Sequence, residues 1–91
     1  MVVTLGELKN YLRVDFAEDD ALLTHLISSA ERLCMDVMRT DDPARLAAAE
    51  NAKTAVLYAA AYLYEHREDA DHHALGLTLR SLLFGCREEG F

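Results

Sequence analysis

Apolar residues recur at three- and four-residue spacing through most of this chain, and polar residues fall between them. The first such segment follows Thr4-Leu5-Gly6-Glu7, which fits a capping box: Thr4 reaches the Glu7 amide and Glu7 reaches back. A short helix is predicted from there to about Arg13, with Leu5, Leu8, Tyr11 and Leu12 on one face. Val14 to Ala17 reads as a turn whose Val14 and Phe16 plug the core. Glu18, Asp19 and Asp20 then place negative charge at the positive end of a second helix. Its stripe, Leu22, Leu23, Leu26, Ile27, Ala30, Leu33, Cys34, Val37 and Met38, is the strongest periodic signal in the sequence. Asp42 as N-cap and Pro43 at the first helical position start a third helix, which the pattern carries without Gly or Pro to about Arg67. Its core stripe is Leu46, Ala49, Ala52, Val56, Ala60 and Leu63. Tyr58, Tyr62 and Tyr64 spread around that helix, so they cannot share one core, a first hint of packing on more than one neighbour. The polar stretch from Glu68 to His73 reads as a loop. Leu75, Leu79, Leu82 and Leu83 mark a short last helix that closes near Gly85, with a flexible tail over 85–91. The expectation is an all-α fold, a small helical bundle of two long antiparallel helices flanked by two short ones. The short link at 39–42 forces the antiparallel pairing.

Composition agrees with helices. Only four Gly and one Pro interrupt 91 residues, and 52% of them are apolar. A chain of this length forms a single domain over 1–91 and buries about 60–65% of its unfolded surface, so its core is thin. Neighbouring subunits would add burial. The net charge of −7, without any Lys/Arg cluster, argues against general binding to a phosphate backbone. No basic start with a long apolar run resembles a signal peptide, and no stretch reaches the ~18–20 apolar residues of a membrane span, so a soluble protein made in a cytoplasm is expected. Cys34 and Cys86 lie far apart and outside any C-x-x-C pattern, which reads as two reduced thiols. Cys34, on the apolar stripe, acts as a small hydrophobe.

No reactive constellation emerges. His72 and His73 beside a carboxylate lack the i, i+4 spacing or Cys partners of a strong metal site, and a solvated loop is the better reading. Ser28, Ser29 and Ser81 have no Gly-x-Ser-x-Gly elbow, and no P-loop or Gly-x-Gly-x-x-Gly is present. Neither an enzyme, a cofactor nor a metal is expected. A helix-turn-helix would need base-reading side chains on its recognition helix. The long helix offers Arg45, Asn51 and Lys53 amid alanine and acid, which serves that role poorly.

Three fragments carry a family resemblance. The first is Leu8-Lys9-x-Tyr11-Leu12-Arg13-Val14-Asp15, followed by Asp19-Asp20-x-Leu22-Leu23, Leu26-Ile27 and Ala30. The second is Lys53-x-Ala55-Val56 leading to Tyr64-Glu65-His66-Arg67-Glu68, and the third is Leu79-Arg80-Ser81-Leu82-Leu83. In this order they resemble the phage head-tail connector proteins, small all-helical proteins that dock on the portal. The link between the long helices is shorter than the family's and lacks its aromatic and Gly. The end runs Phe84-Gly85-Cys86 where the family has a Pro. These departures touch loop and tail contacts, not the bundle.

The resemblance implies a structural virion protein at the head-tail junction, made in the bacterial host cytoplasm. It implies a ring, dodecameric to match the portal, that extends the DNA channel and meets the next tail-joining protein. DNA would pass without specific binding, helped by an acidic lumen, and no membrane is involved. Subunit contacts are expected from Glu65, Arg67 and Arg80 as charged pairs, and from Tyr62 and Phe84 as apolar anchors. The competing reading is a surface ion pair within one subunit, worth about 0–1 kcal/mol, and ordinary core packing for the aromatics. The alternative function is a small helical protein-protein interaction module or dimeric regulator.

Overall fold

The computed structural model describes residues 2–49, 51–69 and 71–83, and among them every regular element is helical. In chain order these are α1 (Leu5–Leu12), α2 (Asp20–Met38), α3 (Pro43–Ala48), α4 (Ala52–Glu65) and α5 (His72–Leu83). The all-α expectation holds, with five helices among the described residues where the spacing predicts four. The long helix expected over 43–67 is two, because Ala49 adopts an extended backbone (φ −69°, ψ 137°) and the helix restarts after Asn51. No Gly or Pro marks that break. Leu46 before the break and Ala52 after it are both buried. The Asn51 side chain donates to the Leu82 carbonyl at 3.1 Å and so ties the break to the end of α5.

The capping box at Thr4 is present in both directions, at 3.1 and 3.0 Å. Asp42 caps α3 by accepting from the Ala44 amide at 3.0 Å, with Pro43 following as the sequence indicated. α5 starts earlier than expected. The Asp71 carboxylate accepts from the Ala74 amide at 2.9 Å, and His72 and His73 form the first turn of the helix instead of a loop.

α1 and α2 end alike. Arg13 and Arg39 sit in the left-handed region at φ 60° and 61°, and Val14 and Thr40 each donate back to Lys9 and Met35. This 6→1 closure suits glycine, whereas an L side chain is strained there. Replacing Arg39 by glycine is therefore expected to stabilise the fold by about 0.5–1 kcal/mol, read as a higher melting temperature of a few degrees.

α2 and α4 form the largest contact, and α1 and α5 both pack on that pair. Ala55, Ala59 and Ala60 are fully buried, and without bulk beyond Cβ they let neighbouring helices approach α4 closely. The α2 stripe buries Leu23, Leu26, Ile27, Ala30, Cys34 and Met38 as expected, adds Met35, and leaves Leu22, Leu33 and Val37 half-buried. Three N-terminal expectations need correction. Tyr11 is 51% exposed and Phe16 45% exposed, and Val14 is only half-buried. Val3 fills the core instead, held where the Val2 amide donates to Glu31 Oε2 at 2.6 Å. Among the described residues no helix is long and apolar enough to cross a membrane.

Candidate functional site

The end of α4 is built by two tyrosines that point to different neighbours. Tyr64 donates its hydroxyl to Asp19 Oδ2 at 2.7 Å, which fastens the end of α4 to the start of α2. The sequence places Asp19 as a helix-start charge, yet its side chain makes no capping bond and serves this link instead. Asp20 likewise pairs with Lys9 at 2.7 Å, and α1 is further joined to α4 by Glu7 and Lys53 at 2.6 Å. The Asp19 hydrogen bond, then burial, pushes the Tyr64 hydroxyl above its ordinary range, since both favour the neutral phenol. The Arg67 guanidinium lies 4.9 Å from the centroid of the Tyr64 ring, a cation-π contact within one subunit.

Tyr62 turns the other way. Its hydroxyl accepts from the Asp71 amide at 3.0 Å at the start of α5, and its ring stacks on His66 with centroids 4.2 Å apart. His66 Nδ1 is 3.0 Å from the Tyr62 carbonyl, so that nitrogen carries the hydrogen and donates. Tyr62 and Arg67 thus have partners inside the chain. Glu65 and Arg80 are exposed and make no hydrogen bond or ion pair among the described residues. Phe84, the tail and Cys86 lie outside the described residues.

Beside this shoulder runs a groove of about 540 Å³ between the end of α1 and α4, lined by Tyr11, Arg13, Tyr58, Tyr62 and Glu65 among others. The spacing does not reveal it, because Tyr11 shares the helical spacing of Leu8 and is expected on the buried face. Tyr58 carried the available signal, since it falls off the α4 core stripe. Exposed Tyr and Arg around a concavity are the usual composition of a protein-binding surface.

Reactive chemistry has little to work with here. Burial, with the nearby Glu31 charge, pushes the Cys34 thiol up to about 12, so the nucleophilic thiolate is suppressed. His72 and His73 occupy the first turn of α5, and the described residues hold no group of three or more His, Cys, Asp or Glu placed to bind a metal.

A family model for phage gp6-like head-tail connector proteins matches residues 2–88, a span that includes all five helices. The chain belongs to this connector family. No curated protein and no solved structure gives a significant match. As a connector it has a structural role at the junction between phage head and tail. The Tyr64-Glu65-His66-Arg67-Glu68 segment of the connector is the shoulder just described, and its first and fourth residues are bound to one another.

Proposed function

We propose that this connector assembles as a ring beneath the portal, where it extends the DNA channel and joins the portal to the next tail protein. The observation that carries the reading is the family match across 2–88. A net charge of −7 supports it, because an acidic surface lets DNA move past without adhering. A chain of 91 residues with a thin core also gains from burial against neighbours. Glu65, Arg67 and Arg80 are the proposed charged contacts between subunits, with Tyr62 and Phe84 as anchors and a dodecamer as the stoichiometry that fits a portal.

Sedimentation velocity across a wide concentration range tests the reading. A discrete large species is the expected result, and a stable dimer would instead favour a dimeric regulator. Arg67→Glu should abolish assembly while leaving the helical circular dichroism unchanged, since Arg67 is exposed and its removal exposes no core. Assembly at the normal concentration in that variant would remove Arg67 from the interface.

A further inference from the structure

The segment from Val2 to Leu12, which carries α1, is fastened to the bundle by a small set of matched contacts. Two of its side chains, Val3 and Leu8, are fully buried. The Val2 amide donates to Glu31 Oε2 at 2.6 Å, Lys9 pairs with Asp20 at 2.7 Å, and Glu7 pairs with Lys53 at 2.6 Å. The segment thus presents an amide, an anion and a cation, and its seat on α2 and α4 answers with Glu31, Lys53 and Asp20. The chain that follows is loosely held. Asp15, Phe16, Ala17 and Glu18 are all exposed. Among the described residues, the hydrogen bonds of 14–18 are local: Val14 donates to the Lys9 carbonyl, and the Ala17 carbonyl accepts from Asp20. Arg13, at the head of this linker, is held at φ 60°, a left-handed conformation that strains an L side chain.

We propose that α1 is an exchangeable arm, which opens at Arg13 and leaves its own seat for the same seat on an adjacent copy. The proposal rests on the ring reading above and names a contact that would build the ring. The occupant is a second copy's arm because the seat is already complementary to that segment in shape and charge. Exchange remakes each buried side chain and ion pair of the closed form between copies and loses none of them. It also lets Arg13 leave its strained conformation, and a short hinge under strain invites such exchange. Stretched out, the seven steps from Arg13 to Asp20 cover roughly 23–25 Å. The shortest axis of the molecule is 18 Å, so a neighbour packed across that axis lies within reach. With each copy giving its arm to the next, the contact is heterologous, the type that closes rings.

Two chains test the exchange, one with Glu7→Cys and one with Lys53→Cys, both in a Cys86→Ser background where Cys34 is buried. Refolded together from denaturant, assembled as judged by sedimentation velocity and treated with a short bismaleimide, they should give a covalent dimer. A single chain carrying both substitutions, assembled with a large excess of chains carrying neither, should lose its internal cross-link. The hinge supplies a second readout with opposite signs. Arg13→Gly relieves the strain of the closed form and should raise the concentration needed for assembly about fivefold. Arg13→Pro cannot adopt φ 60° and should lower it. Circular dichroism checks the fold of both, and Arg13→Gly alone decides if the proline variant does not fold. Assembly with the cross-link confined to single chains overturns the exchange and leaves the ring reading standing. Cross-links between chains in a species of two copies keep the exchange and overturn the ring. Equal assembly of Arg13→Gly and the wild type overturns Arg13 as the hinge. A wild type that stays monomeric up to its solubility limit overturns both the exchange and unaided ring assembly.

Discussion

Replacing Leu8 by alanine is expected to destabilise the fold by about 2–5 kcal/mol, the range for truncating a fully buried leucine. Leu8 is the single buried residue of α1, and Leu5 and Leu12 beside it are only partly covered. The two ion pairs that also fasten α1, Lys9–Asp20 and Lys53–Glu7, are partly solvated and cannot replace it. Against a total stability of about 5–15 kcal/mol, that loss is large. Thermal denaturation followed by circular dichroism should show a melting temperature lowered by about 10 °C or more. Tyr11→Ala, on the exposed side of the same helix, should change it by no more than a few degrees. A small shift for Leu8→Ala would mean that the charged links, and not this side chain, dock α1.

Alkylation of Cys34 in the native Cys86→Ser chain is expected to run about a thousandfold or more slower than that of a free cysteine at pH 8. Its thiol is fully buried and pushed up to about 12, which leaves on the order of one thiolate in 10⁴ at that pH. Denaturant should restore the ordinary rate. Labelling of the native protein at the free rate would show that α2 opens far more often than its packing implies. The same raised value makes stability depend on pH. The folded state holds the proton more tightly than the unfolded thiol near 9.0, so the contribution is complete below that value. It is lost as pH rises toward 12 and amounts to about 4 kcal/mol by then. Tyr64, also raised, loses its contribution in the same direction. Denaturant midpoints should therefore fall between pH 9 and 12, and the fall should be shallower in Cys34→Ala.

The same physics separates what could be read along the chain from what could not. The Thr4 capping box, the Asp42-Pro43 start and the Leu23-Ile27-Ala30-Cys34 stripe depend on contacts within a turn or two, and spacing alone reveals such contacts. The break at Ala49 did not show, because no Gly or Pro marks it and the alanines around it favour a continuous helix, while the Asn51 link to the Leu82 carbonyl joins residues 31 apart. The early start of α5 at Asp71 was legible as an N-cap and was hidden by the acidic residues surrounding it. At the candidate site, the aromatic and charged residues at the end of α4 stood out in sequence. Their partners did not, since Asp19 lies 45 residues from Tyr64. Tyr11 lay on the apolar side by spacing yet faces solvent, because an eight-residue helix anchored by Leu8 leaves its flank uncovered.

The sequence by itself determined an all-helical chain, its strongest buried stripe, two capped helix starts and the family, because each of these rests on residue order and short-range hydrogen bonding. Tertiary structure alone decided where the long helix divides, which tyrosines bind inward and which stay exposed, and that Arg13 and Glu65 line one groove while Leu77 stands on the outer face of α5. Those outcomes depend on contacts between residues far apart in the chain, where the packing of neighbours outweighs any local preference.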